Sequence, residues 1–341
     1  MKIRKIISYL LIFVLLTMLL SACADAPLPS STPEASPSPS VQPTPEPTPL
    51  PDTKPLMWEV KAKQGEGHIY LFGSIHVGGE GLYPLPDEII EAYNSSDTLA
   101  VEFDTTELLT NFVVQLTLAR KLMYPEDDDI TKHLSPETYE LAVDFLKKNG
   151  QYSPVYDRYN IYFWSSLVDG IVFTLSELDS DAGIDSYFLL KAHEDGKEIL
   201  DIESLDFQLD LLSGQPDLLQ DHMLRSSILN MDVAIDSLLA LFDAYRRGDE
   251  QELTSLLFSD SDDYELDELP AQEAEELARM IESYKYDMFT ARNIAMAEKA
   301  ETLLEEGRRV FYVVGTGHML GEDGIVELLS DAGFTVTQVI Y

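Results

Sequence analysis

The stretch VFYVVGTGHML, residues 310–320, is an apolar, β-branched run that ends in Gly315-Thr316-Gly317-His318. A second stretch, IYLFGSIHVGG at residues 69–79, has the same arrangement and ends in Gly73-Ser74-Ile75-His76 before its last small residues. Short continuous apolar runs of this kind predict buried strands. A glycine directly after such a strand lets the chain leave the sheet sharply and leaves room for a ligand or a second backbone. The two stretches therefore predict two strand ends that each present a histidine.

Further strands are predicted at both ends of the chain. MWEVKA and HIYLFG, joined by the turn residues QGEG, predict a β-hairpin, TLAVEFD (98–104) a short buried strand, and FTVTQVIY a closing strand. Helical spacing of apolar residues dominates from about 106 to 308, with one predicted strand at KEILDIES. We therefore expect an α/β (α+β) fold. Its central mixed sheet is formed by N- and C-terminal strands, and a large helical block of about 106–308 is inserted between them.

The residues before this domain have a different character. A cationic start and an apolar run from Ile6 to Leu20 precede LSAC (20–23), which resembles the lipobox of bacterial lipoproteins. Residues 1–22 are thus predicted to be a lipoprotein signal peptide, and Cys23, the only cysteine of the chain, is predicted to carry the lipid. An uncleaved anchor or a plain secretory signal is the alternative. Residues 23–55, rich in proline, predict an extended stalk, which leaves 56–341 for the folded domain.

The net charge of −38 narrows the possible partners. Phosphate backbones would be repelled, so nucleic-acid binding is not expected. The same charge disfavours lying flat on an anionic membrane surface and suits solubility outside the cell. The expected location is therefore extracytoplasmic, with the N-terminal lipid anchoring the protein to the cell membrane.

Three polar residues follow apolar strands and are the candidates for chemistry: His76, Glu102 and His318. Catalytic and ligand-binding groups gather at the carboxyl ends of strands in open α/β sheets. Two imidazoles and a carboxylate from separate turns suit a catalytic zinc site with one open position. They would equally serve as general acid–base groups without a metal. The residues alone leave both possibilities open.

Five segments resemble the TraB/PrgY/GumN family, whose relatives include the Tiki metalloproteases and, more distantly, the erythromycin-esterase/ChaN-like group. The segments are LFGSIHVG, LAVEFD, GIDSYFLLKAHEDGKEILDIESLDFQLDLL, ARNIAMAEKA and YVVGTGHMLGEDGIVELLSDAGFTV, and they span most of 56–341. The resemblance implies a metal-dependent hydrolase site built from both Gly-x-x-His motifs and the strand-end acid. The metal would be a divalent ion, Zn, Mn or Co.

The resemblance also implies roles for individual residues. His76 and His318 match the candidate metal ligands or catalytic histidines, and Glu102 matches the candidate ligand or general base. Arg292 matches a family arginine that could steady a carboxylate or an oxyanion. Glu203 matches a family acid and is a further candidate ligand, with capping of the following helix as the alternative.

Two positions depart from the family pattern. Ala291 stands where relatives often carry an acid, which leaves the partner of Arg292 open, and Thr316 replaces a common alanine.

These observations predict a surface-anchored lipoprotein with a peptidase-like, metal-dependent hydrolase domain that acts on a peptide or ester substrate. The sequence contains no H-E-x-x-H helix and no G-x-S-x-G elbow, so an ordinary zincin and a serine hydrolase are not expected. A non-catalytic protein that binds a peptide or pheromone is one alternative. A metal-independent, esterase-like hydrolase with His76 or His318 as general base is another.

Overall fold

The structure, a computed structural model, describes residues 53–258, 266 and 269–341. The predicted signal peptide (1–22), the predicted lipid-bearing Cys23 and the predicted stalk up to residue 52 lie outside these residues. So does most of the acidic stretch at 259–268. Within the described ranges, no helix is both long enough and apolar enough to cross a membrane.

Among the described residues, strands from both ends of the domain form one six-stranded mixed sheet. The strands are β1 (Met57–Lys61), β2 (His68–Ser74), β3 (Thr98–Val101), β4 (Glu198–Asp201), β5 (Arg309–Gly315) and β6 (Thr335–Gln338). Their order across the sheet is β4-β3-β5-β2-β1-β6. β4, β3, β5 and β2 run parallel, whereas β1 is antiparallel to both of its neighbours. The predicted mixed sheet built from both chain ends is confirmed.

The pairing of β2 with β5 brings the two opening stretches side by side. Gly73 lies opposite Val314, and Ser74 lies opposite Gly315. Because parallel strands end at the same edge of a sheet, both Gly-x-x-His turns leave the sheet at one place.

Helices surround the sheet and fill most of the predicted helical block. They are α1 (Asp87–Ser95), α2 (Thr106–Thr110), α3 (Phe112–Lys121), α4 (Pro136–Lys148), α5 (Ile161–Ser176), α6 (Ile184–Asp195), α7 (Leu205–Ser213), α8 (Asp217–Leu229), α9 (Met231–Arg247), α10 (Glu250–Phe258), α11 (Ala271–Lys285), α12 (Ala291–Glu305) and α13 (Ile325–Asp331). A short π-helical turn, Tyr286–Thr290, joins α11 to α12. β4 divides the helical block into two parts, as the predicted strand at KEILDIES required.

The helical stretch that begins at residue 106 is broken at Asn111. Its side-chain oxygen accepts hydrogen bonds from the backbone N–H groups of Val113 and Val114, at 3.1 and 3.4 Å. These groups belong to the first turn of α3 and have no intrahelical acceptor, so the asparagine satisfies them as an N-cap. The result is two short helices, α2 and α3.

Both faces of the central parallel strands are covered, which is why β3 and most of β2 and β5 are buried and apolar. On one face, Phe72 and Phe311 contact Phe188 of α6, with ring centroids 5.8 and 4.8 Å apart. Neighbouring strand residues face opposite sides, so Tyr312 points the other way and donates from its hydroxyl to the Met296 carbonyl of α12 at 2.9 Å. The sheet is thereby fixed between α6 and α12, two of the helices that also supply site residues.

The last residues assigned to the stalk already contact the domain. Thr53 Oγ1 and the Lys54 N–H both donate to the Arg246 carbonyl, at 3.3 and 2.7 Å. The Pro55 carbonyl accepts from the Tyr341 hydroxyl at 2.6 Å. Within the described residues, contacts to the domain therefore include the three residues before the predicted boundary at residue 56.

Candidate functional site

The carboxyl ends of the four parallel strands supply four of the predicted site residues. His76 lies just beyond β2, and Glu102 directly follows β3. Glu203 lies just beyond β4, and His318 lies in the helical turn that follows β5. The fifth, Arg292, comes from the first turn of α12. All five line one cleft or bond to residues that do.

Gly315 marks the point where three of these groups converge. A Cβ atom placed on Gly315 would lie 3.5 Å from Glu102 Oε1, 3.6 Å from His318 Cδ2 and 3.8 Å from His76 Nε2. A side chain at this position would fill the space that the three groups share. The glycine that ends β5 therefore keeps this shared space open.

Asp185 of α6 fixes the orientation of His76. His76 Nδ1 lies 2.7 Å from Asp185 Oδ2, and Ser74 Oγ donates to Asp185 Oδ1 at 2.7 Å. An ionised carboxylate only accepts, so Nδ1 carries the proton and Nε2 is the ring nitrogen left for the cleft. Burial disfavours the charged imidazolium, but the Asp185 carboxylate outweighs this and raises the pKa of His76 to about 9.

Asn293 of α12 fixes the orientation of His318, as Asp185 does for His76. His318 Nδ1 lies 2.6 Å from Asn293 Oδ1, and Asn293 Nδ2 donates to the Asp323 carbonyl at 2.8 Å. Because the backbone carbonyl can only accept, the amide orientation is set, and His318 Nδ1 must be the donor. Burial and the nearby Arg292 charge lower the pKa of His318 to about 3. Its Nε2 is therefore an unprotonated acceptor at neutral pH.

Glu102 is held by donors on both of its oxygens. Oε1 accepts from the Gly315 N–H at 2.9 Å, and Oε2 accepts from Arg292 Nη2 at 2.7 Å and from Gln208 Nε2 at 2.8 Å. Burial opposes its ionisation, but Arg292 and the two histidines hold the pKa of Glu102 well below its usual range. Glu102 is consequently ionised at neutral pH. It accepts hydrogen bonds but is a weak base.

The partner of Arg292, left open by Ala291, is a pair of carboxylates. Arg292 Nε and Nη2 donate to the two oxygens of Glu203, both at 2.8 Å, and Nη2 also bonds Glu102. Its Nη1 lies 3.4 Å from the Met288 carbonyl. With only 5% of its surface exposed, Arg292 works as a buried clamp between two acids rather than as a free cation.

Sequence reasoning missed three residues of this site: Asp185, Asn293 and Gln208. They lie on helices, and each belongs to a segment that carried the family resemblance. Asp185, in the first turn of its helix, is indistinguishable in sequence from an acid that merely complements the helix dipole. Asn293 stands directly beside Arg292, which is the one available signal. Gln208 offers none, because its role depends on Glu102 from a distant strand as well as on nearby Glu203.

Apolar side chains form the rest of the cleft, which encloses about 800 Å³ out to its open mouth. They are Val101, Phe103, Leu189, Leu211, Leu212, Met288 and Phe289. The π-helical turn before α12 carries Met288 and Phe289, and such turns are frequent at functional sites. His68, His133, His193 and His222 do not line this cleft.

The fit of a divalent metal can be judged from the donors present. His76 Nε2 and His318 Cδ2 lie beside the space around Gly315, and the Nδ1 atoms of both rings are anchored, as is usual for metal-binding imidazoles. Glu102 Oε1 has one bond and keeps a lone pair. However, no group of three or more His, Cys, Asp and Glu side chains in the described part of the chain is arranged to hold a metal ion. Arg292 and Gln208 occupy Glu102 Oε2, and together they occupy both oxygens of Glu203.

The chain is similar in sequence to several known proteins. Residues 56–338 match the sequence profile of the TraB/PrgY/gumN family. The chain is 24% identical over 329 residues to "Metalloprotease TIKI2" of Danio rerio, covering 84% of this chain and 61% of that protein. It is 24% identical over 280 residues to an uncharacterised protein of Treponema pallidum, covering 80% of each.

A third relative is the uncharacterised protein YbaP of Escherichia coli, 22% identical over 153 residues, covering 45% of this chain and 54% of that protein. The chain thus spans less than two thirds of the zebrafish and the Escherichia coli relatives. No solved structure matches the chain significantly.

Proposed function

Because the chain belongs to the TraB/PrgY/gumN family, we propose that it is a metal-dependent hydrolase that cleaves peptides outside the cell. One observation carries the proposal: His76 Nε2, His318 Cδ2 and Glu102 Oε1 all lie within 3.8 Å of the Cβ position of Gly315. The relative named a metalloprotease supports a peptide as substrate and a metal as cofactor, at 24% identity.

The proposed metal ligands are the Nε2 atoms of His76 and His318, with Glu102 Oε1 as the third. A divalent ion such as Zn, Mn or Co would polarise the substrate carbonyl and lower the pKa of a bound water. Glu203 is left out of this set because Arg292 occupies both of its oxygens and Gln208 also bonds Oε2. Its proposed task is to hold Arg292.

The remaining polar residues position these groups. Asp185 and Asn293 orient the two imidazoles, so that Nε2 of each faces the cleft. Arg292 balances the charge of Glu102 and fixes its carboxylate. Its donors are largely engaged, so we assign it a positioning role rather than direct contact with an oxyanion. The apolar walls lower the polarity around these groups, which strengthens the electrostatic contacts inside the cleft.

Anchoring at Cys23 by an N-terminal lipid completes the proposal. The LSAC motif and the proline-rich residues 23–55 support a lipoprotein held at the outer surface of the cell membrane on a stalk. Labelling of the protein with a radioactive fatty acid in a bacterial host, abolished by Cys23→Ala, would test this part.

A second candidate is a hydrolase without a metal, and one observation favours it. Asp185 orients His76, and a pKa of about 9 makes this ring a proton donor at neutral pH, whereas the pKa of about 3 leaves His318 Nε2 unprotonated. In such a pair His318 would be the general base toward a water, and His76 would be the general acid that protonates the leaving group of an ester substrate. Dependence of activity on added metal separates the two candidates.

The test uses the full-length protein in detergent and a mixture of ten-residue peptides of varied sequence, with products read by mass spectrometry. Cleavage after loading with one of the three metals, and its absence after chelation, is expected. The matched variants are His76→Ala and His318→Ala, against His68→Ala at the opposite end of β2. Cleavage that survives chelation would favour the metal-free candidate, and no cleavage under any condition would leave a peptide-binding protein.

A further inference from the structure

The side-chain amide of Gln208 has a fixed orientation. Its Nε2 donates to Glu102 Oε2 and to Glu203 Oε2, both at 2.8 Å. A primary amide has two N–H donors and one carbonyl acceptor, so both donors are used. In the opposite orientation, the carbonyl oxygen of Gln208 would face two carboxylate oxygens, which would repel it. The two acids therefore determine which end of the amide is Oε1.

The free end of this amide reaches the cleft. Gln208 is 8% exposed and lines the cleft. Within the described residues, Gln208 Oε1 accepts no hydrogen bond, and the atom is not fully enclosed by protein. The oxygen is therefore an accessible acceptor that has no donor among the described residues.

The apolar side chains around Gln208 Oε1 would favour ligands that donate an N–H to it over ligands that cannot. Leu211 and Leu212 follow Gln208 on α7 and line the same cleft, as does Phe103. A hydrogen bond gains strength in such a water-poor setting, and an acceptor left there without a donor is costly. Sites of this kind discriminate strongly against ligands that lack the matching N–H.

On the basis of the proposed hydrolase function, we infer that Gln208 Oε1 accepts a hydrogen bond from a backbone N–H of the bound substrate. The substrate is then an amide-bonded chain, and an ester in which oxygen replaces that N–H is a poorer ligand. Gln208 would thus contact the substrate directly, in addition to linking the two acids.

Variants of Gln208 separate these two tasks. Gln208→Lys keeps donors for Glu102 and Glu203 but has no acceptor, whereas Gln208→Met approximates the shape and removes both functions. Gln151→Lys at an exposed position controls for the added charge. If the lysine variant fails to fold by circular dichroism, the methionine variant carries the same expectation for the acceptor.

The probe is one peptide that the protein cleaves in the mixture described above. A series of esters replaces its backbone N–H groups by oxygen, one at a time. Dissociation constants are measured by calorimetry on chelated full-length protein, so the readout does not depend on turnover. In the parent and in Gln151→Lys, one ester should bind about tenfold more weakly than the amide. In both Gln208 variants the amide should be weakened, and that ester should bind about as well as the amide.

Two results would overturn the inference in different ways. If every ester loses the same factor in the parent and in the Gln208 variants, Gln208 does not contact the substrate, although the hydrolase function stands. If no peptide is cleaved with any metal, or without one, the proposed function fails and the inference fails with it.

Discussion

At the scale of single residues, the two Gly-x-x-His turns are in direct contact. A Cβ atom on Gly73 would lie 2.6 Å from Thr316 Oγ1 and 3.2 Å from Thr316 Cα. The Thr316 hydroxyl is itself buried and has no hydrogen-bond partner among the described residues. Thr316 therefore places a polar group at a tightly packed point.

This contact predicts the behaviour of a double-mutant cycle. Gly73→Ala should lower the free energy of unfolding by roughly 2–3 kcal/mol, because the new methyl group overlaps Thr316. Thr316→Ala alone should be neutral or stabilising by up to ~1 kcal/mol, since it removes an unsatisfied hydroxyl. Urea denaturation of the double variant should recover part of the Gly73→Ala loss. Strict additivity of the two changes would show that the two turns do not press together. A large loss of stability in Thr316→Ala would show that the hydroxyl has a hydrogen-bond partner.

Gly315→Ala should separate folding from ligand binding. The backbone φ of Gly315 is −49°, which alanine adopts readily, and its Cβ would meet its neighbours at ordinary contact distances. The free energy of unfolding should therefore be unchanged or raised by up to ~1 kcal/mol. Zinc affinity, measured by competition with a chelator, should fall at least about tenfold because the methyl group occupies the shared space. Unchanged affinity in a folded variant would place the metal elsewhere.

Some residues of the candidate site could be predicted from the sequence, and others could not. His76, Glu102 and His318 were predictable because each follows a buried strand, and parallel strands end at one edge. Asp185 and Asn293 were not, since a helix position gives no sign of which strand end it will face.

At the scale of elements, His133 links two helical segments through its charge. Its Nδ1 lies 2.8 Å from Asp217 Oδ2 at the start of α8, and its Nε2 lies 3.1 Å from Asp128 Oδ2. A neutral imidazole cannot donate from both nitrogens, so the two contacts require the protonated ring. Burial opposes this charge, but hydrogen bonds to Asp217 and Asp128 raise the pKa of His133.

The stability contributed by His133 should therefore depend on pH. A raised folded-state pKa means that the contribution is present at pH values below the unfolded-state pKa and is lost as pH rises through the folded-state pKa. Compared with His133→Gln, the parent should be more stable at pH 6, and the difference should shrink by pH 9. Since the ring is partly exposed, the effect should stay below about 1 kcal/mol. Urea denaturation of both proteins at the two pH values measures it, and a constant difference would contradict the charged pairing.

Elements with a clear period were predicted well, and those set by local caps were not. The hairpin of β1 and β2 follows from two apolar runs joined by turn residues. The break at Asn111 comes from one side chain that competes for backbone donors. The π-helical turn at Tyr286–Thr290 has no sequence period of its own, although it shapes the cleft wall.

At the scale of the whole molecule, the sheet joins the two ends of the domain and creates the site in doing so. β2 pairs with β5, and β1 pairs with β6, so the strand that carries His76 and the strand that precedes His318 meet only in the complete fold. The sequence predicted that both ends share a sheet. The order of strands was not predictable, because which strand enters the centre depends on helix packing against both faces.

The most direct test of a shared metal site is the metal content of the full-length protein by mass spectrometry. The protein would be supplied in turn with Zn, Mn and Co and compared with His76→Ala, His318→Ala and the control His68→Ala, each checked for folding by circular dichroism. We expect about one ion per chain in the parent and the control, and loss of that ion in both site variants. A parent that binds no ion from any supply, or site variants that retain it, would contradict a metal centre formed by the two Gly-x-x-His turns.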